Sequence, residues 1–378
     1  MSLAVFASHF HSIDEPRQAS KITYPLFDVL FLTVAAVIAG AEGWEDIEDF
    51  GRCHLDWLKQ HGDFSLGIPV HDTIARLVSR VDPGQFQQAF IAWMQQTEIL
   101  TQGQVIAVDG KTLKSSYDRT DRRTAIHMVN AYATANGVVL GQYKTDAKSN
   151  EITAVPALLQ LLDIKGCLVS LDAMGCQTSI AQTIIDKEAD YLLTVKANQR
   201  GLYTGLQEAF SQTTADKLTH VEQGHGRREY REYQVLPASG FTTEHSSWPK
   251  LTTLGMAVHY RVDKQGKQSL ESRYYICSKT LSAEHFASAV RNHWGIENKV
   301  HWLLDVAMHE DACQIHRGDA AQNLACIRQV ALNQLKREKT KKASIRRKQR
   351  IAAMDTAYLE KVTFISCHCM FLNLSLLV

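Results

Sequence analysis

The spacing of hydrophobic positions changes twice along the 378-residue chain. From Tyr24 to about Thr101, apolar residues recur at helical spacing, for example between Trp44 and His61, and predict several short helices. Asp28 is expected to cap an apolar helix that runs to Ala41. A set of short helices is typical of a plain bundle, and also of a domain that presents a recognition helix to DNA.

Between Gln104 and Asn198, short apolar runs alternate with helical segments, which predicts a mixed α/β unit. The runs 105–108 and 166–171 are expected to be buried strands. Asn136-Gly137 lies between two further apolar runs and predicts a tight hairpin turn.

Residues 202–210 are expected to form a helix, and from there to about 281 the pattern is again typical of strands, with apolar runs at 230–236, 251–262 and 272–277. Ser282 then begins a helical signal that continues to about Lys361. The order of elements is therefore a helical segment, an α/β unit, a β-rich insertion and a second group of helices.

The charge of the chain adds one local feature. The net charge is +1, but residues 336–350 contain nine Lys and Arg and one acid, which leaves a charge of −7 for the rest of the chain. Such a block favours contact with a polyanion such as nucleic acid, although a solvated helix has the same composition.

Cysteine usage and hydropathy indicate a compartment. The eight cysteines form no Cys-x-x-Cys pair, and the N-terminus lacks the pattern of an export signal, so we expect reduced thiols in a cytoplasmic protein. The apolar stretch Val29–Ala41 is shorter than the roughly 20 residues that span a membrane. The uncharged tail 362–378 is close to the lower limit of that length, but we expect no membrane partner.

Three acidic residues are the main candidates for chemistry. Asp109 and Asp172 each follow an apolar strand, and aspartates in this position converge at one rim of an α/β sheet. Glu297 lies beside the apolar stripe of a predicted helix, from where it can lean over that rim. Carboxylates suit Mg²⁺ or Mn²⁺, and two such ions support phosphoryl transfer. The spacing of these acids alone is weak evidence for a metal site, because aspartates at strand ends also cap turns.

Four motifs carry a resemblance to a known family: VIAVDGKTLKSSYDR (105–119), LVSLDAMGCQ (168–177), YLLTVKANQ (191–199) and RNHWGIENKVHWLLDV (291–306). Together they are similar to the H-repeat-associated insertion-sequence transposases of the DDE superfamily. The segments 24–52 and 67–83 resemble the helical domain that accompanies this family. The similarity extends in order over residues 14–362.

The resemblance implies an α/β fold with an RNase H-like mixed-sheet core, a β-rich insertion and a small all-helical N-terminal domain. It implies a metal-dependent transposase that cuts and rejoins DNA at insertion-sequence ends, in DNA transposition and recombination. Asp109, Asp172 and Glu297 would be catalytic and would bind Mg²⁺ (or Mn²⁺), as two ions. The partners would be double-stranded DNA, as terminal repeats and target, and a second copy in a homodimer on DNA, in a cytoplasmic, nucleoid-associated complex.

The pattern and the resemblance together predict five regions. They are a helical DNA-binding domain (1–101), the first part of the catalytic core (102–202), the β-rich insertion (203–281), the core helices with the glutamate (282–335), and a basic segment with an apolar tail (336–378).

A set of cationic and polar residues near these acids is expected to bind DNA. The cations would neutralise phosphates, and the polar residues after the strand 191–195 would face the substrate. Lys111 and Lys114, taken singly, would be equally ordinary in a solvated loop, and Arg227 and Arg228 in a surface turn. The set comprises Lys111, Lys114, Lys196, Asn198, Gln199, Arg227, Arg228, Arg291, His293 and Lys299.

The sequence departs from the superfamily pattern at Val290 and Leu304, where a tyrosine and a lysine are usual. We expect Arg291 or Lys299 to supply the corresponding phosphate contacts. The apolar tail is foreign to the family and motivates an alternative, a catalytically inactive, DNA-binding relic. A third alternative is a metal-dependent nuclease without strand transfer.

Overall fold

The computed structural model describes residues 3–116, 125–145, 151–224, 227–241 and 247–365, without the side chains of residues 3–5, 224 and 227. This part of the chain has a mixed α/β architecture around one large mixed sheet. None of its helices combines the length and apolar character that crossing a membrane requires. The apolar tail lies outside the described residues from position 366 onward.

Nine strands of the described residues form the sheet. They are β1 Val105–Thr112, β2 His127–Ala133, β3 Val138–Lys144, β4 Leu168–Leu171, β5 Asp190–Val195, β6 Asp216–Gly224, β7 Arg227–Pro237, β8 Thr253–Val262 and β9 Gln268–Cys277. Their spatial order is β3-β2-β1-β4-β5-β9-β8-β7-β6.

The inner half of the sheet consists of β1 to β5. The strands β1, β4 and β5 are parallel neighbours, and β2 pairs antiparallel with β1 and with β3. The β2–β3 hairpin turns at Asn136-Gly137, as the sequence predicts. Gly137 has a φ of +76°, a conformation that glycine adopts without a Cβ clash.

The strands of the predicted insertion continue this sheet. The last of them, β9, pairs with β5 over four residue pairs, and β8, β7 and β6 follow outward as antiparallel neighbours. The sequence pattern does not predict β6, because its side chains are mostly exposed and show no apolar alternation.

In the described residues six α-helices precede β1. They are α1 Leu3–Phe10, α2 Leu26–Ile38, α3 Trp44–Cys53, α4 Leu55–Leu58, α5 His71–Val78 and α6 Pro83–Thr97. The expectation for Asp28 is wrong, because α2 begins two residues before it and Pro25 holds the N-cap position. The buried Asp28 carboxylate instead accepts a hydrogen bond from the backbone N–H of Asp63 at 3.1 Å.

The remaining α-helices are α7 Glu151–Leu161, α8 Thr178–Asp186, α9 Arg200–Gln212, α10 Ala283–His293, α11 Trp302–Met308, α12 Ala320–Arg337, α13 Ile345–Met354 and α14 Thr356–Thr363. Residues 320–335 of α12 are all buried, and this helix packs against α2, α6 and β3. The N-terminal helices and the inner half of the sheet consequently share one hydrophobic core. The domain boundaries stay a prediction.

The basic block 336–350 is only partly a solvated surface. Lys336 donates to the backbone oxygen of Lys299 at 3.0 Å, and Arg337 donates through Nε to Glu98 at 2.7 Å. Lys348 is buried and donates to the carbonyl of Leu335 at 2.8 Å. The other six cations of the block are exposed, so the surface that could meet a polyanion is smaller than the sequence indicates.

Candidate active site

Asp109 and Asp172 lie next to each other in the middle of the sheet. Val108 of β1 is paired with Leu171, the last residue of the parallel strand β4, and the next residue along each chain segment is the aspartate. Asp172 follows β4 as predicted, whereas Asp109 lies within β1, which continues to Thr112. Parallel neighbours present their carboxyl ends at the same edge, so the two acids come together as the sequence predicts. Asp172 also accepts the backbone N–H of Met174 at 2.9 Å, which fixes the loop that follows it.

Glu297 reaches this edge from a helical segment after α10. Ser282 caps α10 through its hydroxyl, as predicted, and the chain then forms one π-helical turn, Glu297–His301. Ile296 and Val300 are buried while Glu297 is exposed, which matches the predicted apolar stripe with the carboxylate at its flank. Single π turns inside helices are frequent at functional sites.

The electrostatics of Asp109 indicate that several acids lie near one another here. Burial raises the pKa of Asp109 to about 7, and the negative charges of Asp172, Glu151 and Glu297 contribute to the rise. Burial also raises the pKa of Asp172, and Glu151 adds to that effect. All three predicted acids are therefore close enough to interact, together with a fourth that the sequence analysis did not single out.

Glu151 is this fourth carboxylate, at the first turn of α7. The apolar pattern predicts a helix that starts at Ala154, whereas α7 begins three residues earlier at Glu151. An acid in the first turn of a helix is ordinary, so its position in the chain carries little functional information. Only the fold brings it next to Asp109.

His301 lies at the opposite end of the π turn from Glu297. Its Nδ1 is 3.6 Å from Oδ2 of Asp109, and its Nε2 is 3.4 Å from Nδ2 of Asn130. Burial, with the charge of Lys111, lowers the pKa of His301 to about 4, so the ring is neutral at neutral pH. Gln329 of α12 donates to Oδ1 of Asn130 at 2.5 Å and connects the site with the central helix.

The donor set fits a hard divalent cation. Asp109 and Asp172 are partly buried carboxyl groups whose pKa values are raised by burial and by neighbouring acids, and oxygen ligands of this kind suit Mg²⁺ and Mn²⁺. Among the described residues, however, no three Asp, Glu, His or Cys side chains already stand at ligand distances from one common point. The carboxylates would have to move closer together around an ion.

Two of the predicted DNA-binding lysines make ion pairs within the protein. Lys111 is buried, and its ammonium lies 2.6 Å from Asp305, 3.1 Å from Glu310 and 3.0 Å from Asp311. The structure does not place it where it could reach a phosphate, because three carboxylates already surround it. Lys114 is exposed and pairs with Asp311 at 2.7 Å.

The polar residues after β5 hold the loop of Asp172. Asn198 donates to the backbone oxygen of Ala173 and Gln199 to that of Cys176, both at 2.8 Å. These two side chains, predicted to contact substrate, thus position a catalytic candidate. Lys196 is exposed, and its charge lowers the pKa of Asp172.

Around Glu297 the predicted residues separate into buried and exposed groups. His293 is buried, its Nδ1 lies 3.0 Å from the hydroxyl of Ser170, and burial lowers its pKa to about 4. The structure does not bring this ring to a surface that DNA could contact. Arg291 and Lys299 are exposed, and Arg291 pairs with Glu222 at 3.2 Å.

Glu297 and Arg291 border a cleft of about 640 Å³ between the outer strands and α10. Arg273 stacks over the ring of Trp294 at 4.3 Å, so a cation and an aromatic face meet beside Glu297. Of the remaining predicted residues, Arg228 is exposed on β7, and the side chain of Arg227 lies outside the described part. The cleft is lined by Glu222, Arg231, Tyr233, Ala257, Val258, His259, Arg261, Glu271, Arg273, Tyr275, Val290, Arg291, Trp294, Glu297 and Asn298.

Comparison with known protein families identifies the family of the chain. Residues 100–334 match the family described as transposase DDE domain, and residues 7–94 match the family described as DDE_Tnp_1-associated. The chain therefore belongs to the family of transposases with a DDE domain.

Individual relatives extend the similarity over almost the whole chain. The "H repeat-associated putative transposase YhhI" of Escherichia coli K12 is 48% identical over 374 residues, which are 96% of this chain and 98% of the relative. The "Putative transposase YncI" of Escherichia coli O157:H7 is 47% identical over 370 residues, 96% of this chain and 95% of the relative. The "Inactive transposase YbfQ" of Escherichia coli K12 is 60% identical over 80 residues, 21% of this chain and 95% of the relative.

Proposed function

We propose that this protein is an insertion-sequence transposase that hydrolyses a phosphodiester at each element end and then joins the freed 3′-hydroxyl to target DNA. The observation that supports this most directly is the convergence of Asp109, Asp172 and Glu297. These residues come from three separate motifs. The charges of Asp172 and Glu297 both contribute to the rise of the pKa of Asp109 to about 7. We assign β3-β2-β1-β4-β5 to an RNase H-like core, since its central parallel strands carry the two aspartates to one edge.

In the proposed reaction, water attacks the phosphorus and the bond to O3′ breaks. The 3′-hydroxyl then attacks a target phosphorus and displaces its O3′. Asp109, Asp172 and Glu297 would hold Mg²⁺ or Mn²⁺, as two ions, and these would activate the attacking oxygen and neutralise charge on the leaving oxygen.

The surrounding residues position these carboxylates. Asn198 and Gln199 hold the loop of Asp172 through its backbone carbonyls. The neutral ring of His301 packs beside Asp109 without adding a positive charge that would compete with a bound cation. The π turn directs Glu297 outward while its neighbours Ile296 and Val300 stay packed.

The exposed cations beside the carboxylates outline the proposed DNA path. Arg291, Lys299 and Arg228 are exposed on the Glu297 side, and Lys196 is exposed beside Asp172. Each phosphate that they neutralise adds salt-sensitive affinity. The N-terminal helices and the exposed cations of 336–350 would contact DNA further from the cut. Because two element ends are processed together, we propose a homodimer on DNA, in the cytoplasm at the nucleoid.

A cleavage and joining assay tests this function. The substrate is a labelled duplex that carries the element's own ends, with Mg²⁺, Mn²⁺ or EDTA, and the proteins are wild type and Glu297→Gln. We expect metal-dependent nicks and joined products from wild type only, with DNA binding kept in both. Glu284→Gln, an exposed glutamate of α10, is the matched control and should behave as wild type. Cleavage by Glu297→Gln at the wild-type rate would contradict the assignment, and nicks without joined products would indicate a nuclease.

The second candidate is an inactive, DNA-binding relic. A relative carries the name of an inactive transposase. In this chain the two departures, Val290 and Leu304, are buried apolar residues with no phosphate-binding group. Binding of the element ends without cleavage, by both the full chain and a chain that lacks 366–378, would favour this candidate.

A further inference from the structure

Glu151 lies against the backbone next to Asp109. A Cβ on Gly110 would stand 2.0 Å from Oε1 of Glu151, so the carboxylate occupies the space that any other residue at 110 would fill. Successive residues of a strand point to opposite faces, so Glu151 approaches the end of β1 from the face opposite the Asp109 side chain. The acids therefore surround the edge of the sheet from both faces.

A chain of hydrogen bonds fixes the Glu151 carboxylate in this place. The hydroxyl of Thr112 lies 2.8 Å from Nδ1 of His127, and Nε2 of His127 lies 2.7 Å from Oε1 of Glu151. If the hydroxyl donates to Nδ1, then Nε2 carries the proton and donates to Glu151. Side chains that orient a carboxylate in this way are typical of the shell around metal ligands.

Glu151 places a third carboxylate beside two partly buried aspartates, and its charge raises the pKa of both. Like charges in a partly buried site destabilise each other. His127 offsets this charge on one side only. A divalent cation among the carboxylates would convert the repulsion into attraction.

We propose that Glu151 is a fourth carboxylate of the active site and that it binds the divalent cation together with Asp109 and Asp172. This inference rests on the proposed function. The opposing explanation is a plain ion pair between Glu151 and His127, which requires no cation.

The test is Glu151→Gln, with cation binding measured apart from catalysis. The amide oxygen of glutamine still accepts the proton of His127, so the fold is kept while the charge is lost. Calorimetric titration of DNA-free protein with Mn²⁺ should give an affinity at least about ten-fold weaker than that of wild type. The increase in Tm on Mn²⁺ addition should shrink accordingly, whereas the Tm in EDTA should not fall. Glu208→Gln, an exposed glutamate of α9, is the matched control.

Glu151→Asp and Asp109→Asn complete the series. The aspartate keeps the charge on a shorter side chain, and we expect a cation affinity between those of wild type and Glu151→Gln. Wild-type Mn²⁺ affinity and cleavage in Glu151→Gln, with cleavage lost in Asp109→Asn, would overturn the role of Glu151 and leave the proposed function standing. If wild type binds no Mn²⁺ and cuts no DNA, both fail together.

Discussion

Asn333, buried in α12, forms two hydrogen bonds with the backbone of Val139 on β3. The N–H of Val139 donates to Oδ1 at 2.9 Å, and Nδ2 donates to the carbonyl of Val139 at 2.8 Å. The strand β3 is an outer edge of the sheet, and its register with β2 shifts at Ala131/Tyr132. The Asn333 side chain thus pairs with the backbone N–H and carbonyl of Val139 at the open edge of the sheet, where the strand pairing is irregular. It does so from α12, the helix at the centre of the core.

Asn333→Ala should leave a donor and an acceptor of Val139 buried without partners. Each such group costs about 1–3 kcal/mol, so we expect the free energy of unfolding to fall by about 2–6 kcal/mol. Urea denaturation measures this change. Gln182→Ala, at an exposed position of α8, should change stability by less than about 0.5 kcal/mol. Equal effects of the two substitutions would show that Asn333 does not close the edge.

Gly110→Ala should displace Glu151 rather than unfold the protein. The three atoms nearest the added Cβ belong to the Glu151 carboxylate and the His127 ring, and these two side-chain ends can rotate away at a modest cost in stability. Cation-dependent cleavage should fall, while Tm stays near that of wild type. Gly201→Ala is the matched control, because nothing lies within 4 Å of its Cβ and alanine favours the helix by about 1 kcal/mol. Full cleavage by Gly110→Ala would contradict the prediction.

Asp109 should make the stability of the cation-free protein depend on pH. Its pKa of about 7 in the folded chain lies above the pKa of about 4 of an exposed aspartate. The folded chain therefore binds this proton more tightly, and the stabilisation is lost as the pH rises through 7. In EDTA, the free energy of unfolding of wild type relative to Asp109→Asn should fall between pH 4.5 and 7.5.

The comparison with Asp109→Asn removes the effect of other groups. His293, whose pKa is lowered to about 4, destabilises the fold as the pH falls, but it does so in both proteins because it does not contact Asp109. A difference in stability that stays constant over this pH range would mean that Asp109 is not perturbed.

Arg291→Ala should weaken binding of duplex DNA and reduce its salt dependence. Loss of one phosphate contact should lower the slope of log K against log salt by about 0.9. Fluorescence anisotropy at several salt concentrations measures the slope. Arg200→Ala, on α9, is the control at another exposed arginine. An unchanged slope in Arg291→Ala would place the DNA path elsewhere.

The central strands and the positions of their aspartates could be predicted because local pattern and fold agree there. The runs 105–108 and 168–171 are mostly apolar and buried, and each leads directly into an aspartate, although β1 continues past Asp109 to Thr112. The flank position of Glu297 follows from helical periodicity, although the π turn does not, since no local pattern marks one extra residue in a turn.

The parts that could not be predicted depend on contacts between distant segments. Glu151 is 42 residues from Asp109 in sequence, and His127, which orients it, lies on another strand. The burial of Lys111 depends on Asp305 and Glu310, and these residues follow it by almost 200 positions. From the sequence alone, a lysine close to a candidate catalytic aspartate predicts a phosphate contact. Only the fold shows that the acids paired with this lysine come from a distant segment.

The place of β9 in the sheet has a consequence for how the chain is made. This strand joins β5 to β8, yet it is the last of the nine to leave the ribosome. Until residue 277 has emerged, β5 and β8 both expose an unpaired edge, which is a template for association with other chains. A frameshift or nonsense mutation before β9 should therefore yield aggregating fragments, which the cell degrades, rather than a soluble competitor of the full-length protein.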